Sequence, residues 1–183
     1  MLHQPVIPLR ELKAFDGAGI YAIYYTGDFP CYEAIAEHNR SGRFGAPIYV
    51  GKAVPKGARK GGDLEATPGK VLYNRLKQHA KSIGETSNLR IVDFHCRYLI
   101  VDDIWIPLGE SLLIAKFNPL WNKLLDGFGN HDPGQGRHAG LRPRWDVVHP
   151  GRLWARRCRS RDETAEQIIR EARDYLRNNP HTG

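Results

Sequence analysis

The sequence predicts an α/β (α+β) domain: a small three-stranded mixed sheet flanked by helices, carrying a basic C-terminal extension. Three observations support this. Short β-branched and aromatic runs alternate with amphipathic stretches over roughly the first two thirds of the chain. At 183 residues the chain fits one domain with a real core. Hydrophobic residues make up 41% and charged residues 26%, a balance too apolar for a disordered protein.

Residues 19–26, GIYAIYYT, are β-branched and aromatic and end at Gly27, which reads as a strand. A polar insert, 27–46, follows; it is too long for a simple hairpin loop and holds a short helix at 31–39, CYEAIAEHN. Residues 47–51, PIYVG, form a second strand closed by glycine, and 52–70 are a loop rich in Gly, Lys, Pro and Ala. Residues 71–83 are helical, with Val71, Leu72, Leu76, Ala80 and Ile83 on one stripe. Residues 92–101, VDFHCRYLIV, are a third strand. Asp102 and Asp103 precede a helix over 107–117, with Pro107 in its first turn. The run NPLWN at 118–122 ends that helix, because the residue before Pro119 is pushed out of the helical region. Residues 126–161 are rich in Gly, Pro and Arg with few periodic signals. Residues 162–177 form a last amphipathic helix, with Ala165, Ile168, Ile169, Ala172 and Leu176 on one face.

Several classes are disfavoured at once. No apolar run approaches the roughly 18 residues of a membrane helix. The N-terminal stretch carries charges where a signal peptide needs an apolar core. Cys31, Cys96 and Cys158 are scattered and form no CxxC pair. That argues against a disulfide framework or structural zinc and leads to the expectation of a reducing, cytoplasmic setting, with Cys96 a small buried hydrophobe.

The formal charge of +7 calls for a polyanionic partner. Its distribution is more telling. Between Glu37 and Asp63 no acid occurs, while Arg40, Arg43, Lys52, Lys56, Arg59 and Lys60 do. Between Asp132 and Asp162 the only acid is Asp146, against eight arginines and no lysine. One basic loop is ordinarily a solvated surface; two acid-poor basic stretches favour nucleic acid. Arginine's planar fork can chelate guanine O6 and N7, so Arg137, Arg142, Arg144 and Arg152 are the DNA-contact candidates, with Trp145 and Trp154 between them to pack or stack.

Six residues can carry phosphodiester chemistry. Tyr21 and Tyr49 sit on the first two strands and can share a face of the sheet. Arg75 and His79 are four apart on a helix, hence on one side of it. Glu110 lies early in the next helix, and Asn122 ends the NPLWN run. Taken singly, each has an ordinary explanation: packing tyrosines, a solvated helix face, an acid near a helix start, a turn residue.

Taken together they resemble the GIY-YIG nuclease family. The resemblance rests on GIY at 19–21, YVG at 49–51, Arg75, Glu110 and the N-P-x-x-N run, and covers roughly 17–122. It implies a three-stranded sheet with a single active site. Tyr21, Tyr49, Arg75, His79 and Asn122 match the family's catalytic positions and Glu110 its metal-binding one. The long insert and the basic extension with RPRWDVVHPGR are most similar to the type II restriction endonuclease branch, which cuts a GC-rich palindrome. The insert between the two motifs is longer than usual for the family.

The resemblance further implies hydrolysis of double-stranded DNA with one Mg²⁺ per site, held by Glu110 and mostly hydrated. Arg75 would neutralise charge on the phosphoryl oxygens. Tyr21 would take a proton from the attacking water and pass it to His79, Tyr49 would orient water or phosphate, and Asn122 would brace the site. A palindrome calls for two chains, so a homodimer on DNA is expected, with the 27–46 insert favoured for DNA or partner contact. Other readings remain: a structure-selective repair nuclease with the same site, or a non-catalytic basic binding module. A PD-(D/E)xK arrangement lacks its acids around Glu11 and Lys13. An HNH reading would use Asn130, His131, His138 and His149, which fall in a Gly/Pro/Arg loop and are expected to be turn or DNA-contact residues.

Overall fold

The computed structural model describes residues 1–40, 42–55, 68–132 and 139–180. Four strands, β1 (Ile7–Pro8), β2 (Gly19–Tyr25), β3 (Pro47–Ala53) and β4 (Phe94–Ile100), form one sheet in the order β1-β4-β2-β3. Every pairing is antiparallel. The sheet therefore has one strand more than the sequence predicts and is not mixed. The extra strand is two residues long and contains Pro8, which tolerates only an edge position; no periodicity can show in so short a run.

β2 is central, and all seven of its residues are buried. Both faces of the sheet are covered, so the run reads as continuously apolar rather than alternating. Tyr21, Ile23 and Tyr25 face the main core, with Leu72, Leu76, Leu120, Trp121 and Phe128. Ile20, Ala22 and Tyr24 face the opposite side, toward Ile106, Leu113 and Ile114.

The helices are α1 (Glu33–Arg40), α2 (Val71–Gly84), α3 (Ile106–Phe117), α4 (Leu120–Lys123), α5 (Arg144–Val148), α6 (Leu153–Arg156) and α7 (Ala165–Asn178). The insert holding α1 is stitched into the domain. Ile35 and Ala36 lie in the core, and buried Asn39 donates to Tyr25 O and Ala46 O while accepting from Ala46 N. Asn39 thus closes the base of the long β2–β3 connection; among its described residues, the outer side of α1 and Asp28, Pro30, Gly42 and Arg43 are exposed for any contact.

α2 buries Leu72, Leu76, His79 and Ile83, a stripe that places His79 inside the core rather than on a solvated face. α3 ends at Asn118, whose φ of 43° turns the chain out of the helix before Pro119. α7 begins with a Thr164/Gln167 capping box and buries Ile168, Ala172 and Leu176. The extension is not a loose basic arm: α5 and α6 pack their apolar residues inward, with Trp145 fully buried.

Candidate active site

Tyr21 and Tyr49 do share one face of the sheet. β2 and β3 pair with Tyr21 opposite Gly51 and Ile23 opposite Tyr49, so Tyr49 is one diagonal step from Tyr21. Their ring centroids lie 6.2 Å apart. Gly51 is required by this geometry: a Cβ there would sit 2.4 Å from the Tyr21 hydroxyl. The glycine of the YVG run therefore makes room for the phenol of the GIY run.

Across from them, α2 presents Arg75 and His79 from successive turns. The Tyr21 hydroxyl lies 2.6 Å from His79 Nε2, and both residues are essentially fully buried. Burial, above all, pushes the Tyr21 phenol well above 10 and the His79 imidazole well below 6.5, with Arg75 nearby also disfavouring a charged histidine. The resting pair is thus neutral: Tyr21 donates, Nε2 accepts, and the imidazole proton resides on Nδ1. His79 stacks on Phe128 at 4.5 Å, which fixes the ring plane. Burial likewise raises Tyr49, while the positive charge of Arg75 pulls it down.

Arg75 is held from its far side. Its Nη2 donates to Gly129 O at 2.8 Å, and its Nη1 donates to His131 Nε2. A side chain at 129 would have its Cβ 2.7 Å from the Tyr49 hydroxyl and 3.1 Å from Arg75 Nη2, so the loop touches both residues through glycine backbone.

Glu110 approaches from the other flank of β3. Lys52 follows Gly51 and points to the opposite face, where its Nζ meets Glu110 Oε2 at 2.7 Å. The negative charge of Glu110 is one of the influences that raise Tyr21 and Tyr49, so it acts on the same site. Among the described residues, no group of three or more His, Cys, Asp or Glu gathers around a common point. A lone, partly exposed carboxylate already holding a cationic amine suits a hydrated divalent ion that takes one protein ligand and substrate phosphate.

Asn122 lies in α4, against the outer edge of β3. Its Oδ1 accepts from Val50 N and its Nδ2 donates to Val50 O, both at 2.8 Å. It thereby supplies the pair of bonds that a neighbouring strand would make, between Tyr49 and Gly51.

The six catalytic and metal candidates therefore come together around β3, whereas Arg142, Arg144 and Arg152 are engaged within the protein. Arg137 lies outside the described residues. Arg152 is 1% exposed and bound to Asp146 and to backbone carbonyls, a correction to its expected place on DNA. Arg144 is engaged by Glu163 and Glu171. Arg142 donates to Ala155 O and Arg156 O. These side chains staple the extension together: an arginine in an acid-poor stretch finds its carboxylates and carbonyls elsewhere in the fold.

Trp145 likewise packs, edge-on to Trp121 at 5.6 Å. Arg156, Arg157 and Arg159 are exposed, and among the described residues their side chains make no hydrogen bond or ion pair.

Sequence reasoning missed Lys52, Phe128 and Gly129 as parts of the site. Lys52 was legible from strand alternation, one step beyond Gly51. The other two carried no motif. His131, expected as a turn or DNA-contact residue, is exposed and bonds Arg75. His149 is buried between Tyr32 and Asn88, far from any HNH role, and His138 is outside the described residues. All three cysteines are free and buried, as expected for Cys96.

A comparison with curated proteins returns no match. No described helix is long and apolar enough to cross a membrane. A family model described as the Eco29kI GIY-YIG domain matches residues 13–176, which takes in β2, β3 and β4, the candidate site, the extension and nearly all of α7. The chain belongs to the Eco29kI GIY-YIG family and carries a restriction-type GIY-YIG nuclease domain.

Proposed function

We propose that the protein is a Mg²⁺-dependent type II restriction endonuclease that cuts double-stranded DNA at a short GC-rich palindrome, acting as a homodimer. The observation that carries the reading is the buried Tyr21–His79 hydrogen bond of 2.6 Å, set between Arg75 and the flank holding Glu110. Tyr32 and His149 form a similar buried pair elsewhere in the core, so what singles out Tyr21–His79 is its setting: a glycine cleared for the hydroxyl, with Arg75 and Glu110 acting on the same phenol.

The residues divide the work by position. Tyr21 accepts the proton of the attacking water as its own passes to His79 Nε2. Burial disfavours a free phenolate, so the two transfers are concerted with attack; the positive charge left on His79 is balanced by the negative charge that the attacking hydroxide carries to the phosphate. Arg75 meets the negative charge that grows on the phosphoryl oxygens. Tyr49 orients the phosphate or the water, and Asn122 keeps β3 in register beneath them. Glu110 would hold the ion once Lys52 releases it, and the ion would polarise the phosphate and stabilise the leaving oxygen.

For DNA, exposed Arg156, Arg157 and Arg159 are the better base-reading candidates than Arg142, Arg144 or Arg152. They follow Arg152 by a few residues in sequence, and Arg152 is anchored to the loop that holds Arg75. The homodimer reading rests on one site per chain and two strands to cut. The chain also leaves Ile104, Trp105, Leu108 and Leu112 exposed at the start and along the outer side of α3, apolar surface of the kind that interfaces cover.

Digestion of plasmid DNA with Mg²⁺ tests the proposal. Discrete bands, lost on adding a chelator, are the expected result. Cutting of branched substrates alone would favour the repair-type alternative, and no cutting at all would favour a binding module.

A further inference from the structure

Arg152 is a guanidinium without a surface. Its Nε and Nη2 grip the Asp146 carboxylate at 2.7 and 2.5 Å. Its remaining N–H groups go to three carbonyls of a single short loop: Phe128 at 3.2 Å and Asn130 at 3.1 Å from Nη1, and Gly127 at 2.8 Å from Nη2. All five donors are thus spent inside the protein. The rings of Trp145 and Trp154 lie 4.6 and 4.7 Å from its central carbon. An arginine kept only to neutralise Asp146 would have no need of that loop.

The loop's other acceptors point the opposite way. Gly129 O and His131 Nε2 hold Arg75 from the loop side, alongside a longer bond of 3.4 Å to Gln78 Oε1 on its own helix. Residues 127–131 therefore lie between two arginines and bond them alternately: 127, 128 and 130 to Arg152, 129 and 131 to Arg75. One of these guanidiniums is sealed and fully bonded, and the other belongs to the catalytic cluster. A long arginine side chain left to itself samples many rotamers, at roughly 2 kcal/mol of entropy, so something must aim it.

We propose that Arg152, anchored by Asp146, is a positioning residue that fixes the 127–131 loop and through it aims the Arg75 guanidinium at the substrate phosphate. The inference rests on the reading of Arg75 as the group that meets the phosphate. It gives the Arg-rich extension a role in catalysis as well as in DNA contact.

Arg152→Lys tests it. Lysine keeps a charge for Asp146 but has three donors on one nitrogen and cannot reach the carboxylate and three carbonyls together. The full chain is assayed on supercoiled plasmid with Mg²⁺, with nicking followed for hours so that slow variants are measurable. The expected result is at least a tenfold fall in kcat with KM for DNA changed less than threefold.

The deciding measurement repeats the substitution in an Arg75→Ala background. There Arg152→Lys should cost less than twofold in kcat, yet lower the thermal midpoint by the same amount as in the wild type. Equal fold losses of kcat in the two backgrounds would overturn the proposal, since a residue that only supports the fold acts whether or not Arg75 is present. If Arg152→Lys does not fold, Asp146→Asn carries the same comparison. Failure of both to fold also counts against the proposal, because the pair would then hold the domain rather than aim Arg75. An Arg75→Ala variant that cuts like the wild type is a separate failure: it removes the catalytic reading of Arg75 itself.

Discussion

Replacing Tyr21 by phenylalanine removes one oxygen from the centre of the site and nothing else. The hydroxyl donates to His79 Nε2 at 2.6 Å in a fully buried setting, so the variant leaves a buried ring nitrogen without its partner. Such a loss costs about 1–3 kcal/mol of stability. The ring stays, along with its packing against Tyr49 and His79. The protein should therefore fold with a lowered urea midpoint and an unchanged spectrum. The rate should suffer far more. If Tyr21 carries the proton, losing it costs at least about a hundredfold, or roughly 2.7 kcal/mol of transition-state stabilisation. Single-turnover cleavage of a cognate duplex at saturating Mg²⁺ separates the two effects, because it measures chemistry on folded, bound enzyme. A rate within threefold of wild type would refute the proton-transfer role and return Tyr21 to the core as a packing residue.

Three further outcomes are expected. Glu110→Ala should abolish cleavage while retaining DNA binding and nearly all stability. The Lys52 pair it breaks is partly exposed and contributes less than about 1 kcal/mol, so near-normal cutting in Mg²⁺ would remove the metal assignment. Replacing Arg156, Arg157 or Arg159 singly by lysine should cost roughly 1–3 kcal/mol at the cognate site for any that reads a guanine. A uniform loss on cognate and random duplexes, measured by titration, would mark a phosphate contact instead. Stability should fall with acidification below pH 6.5. Burial holds His149 at about 3, so the unfolded chain takes up a proton that the folded chain refuses; the stabilisation is full above about 6.5 and declines by about 1.4 kcal/mol per pH unit toward about 3. His79 adds to the slope in the same direction. Urea unfolding at pH 6.5 and 5 should differ by at least about 2 kcal/mol, and a flat profile would count against neutral burial of both rings.

The parts of the fold that were legible are those where local chemistry and tertiary position agree. GIYAIYYT reads as a strand because β-branched and aromatic residues suit a strand buried on both faces, which is where β2 lies. Leu72, Leu76 and Ile83 repeat at helical spacing, and α2 follows them. What was not legible depended on distant partners. Ile7–Pro8 becomes a strand only because β4 lies beside it. α5 and α6 are four or five residues long, too short for any period to register. Their stability comes from burying Trp145 and Ala155 rather than from propensity. The candidate cluster was legible because each member sits on a regular element with a fixed direction. Phe128, Gly129 and His131 sit on a loop whose course is set by bonds to Arg75 and Arg152.

The arginines show why charge composition alone misplaces an interface. A count along the chain treats each as a free cation, yet a guanidinium carries five donors and satisfies them wherever acceptors lie. The extension is poor in acids locally, but the fold supplies Glu163 and Glu171 to Arg144, the carbonyls of α6 to Arg142, and Asp146 with a whole loop to Arg152. Three of the expected DNA contacts are thereby consumed in building the extension. The free charge moves to its exposed end, at Arg156, Arg157 and Arg159. The same substitution of roles ties recognition to catalysis. Arg152 opens α6, whose last residue is Arg156, and it also fixes the loop holding Arg75. In the proposed reading, DNA contact at Arg156, Arg157 and Arg159 and the aim of Arg75 share one buried anchor, Arg152, a few residues away in sequence. Displacement of α6 on a wrong sequence would be felt at Arg152 before it reached the phosphate. If so, lysine at 156, 157 or 159 should lower kcat on cognate DNA as well as affinity, and a change confined to affinity would separate the two functions.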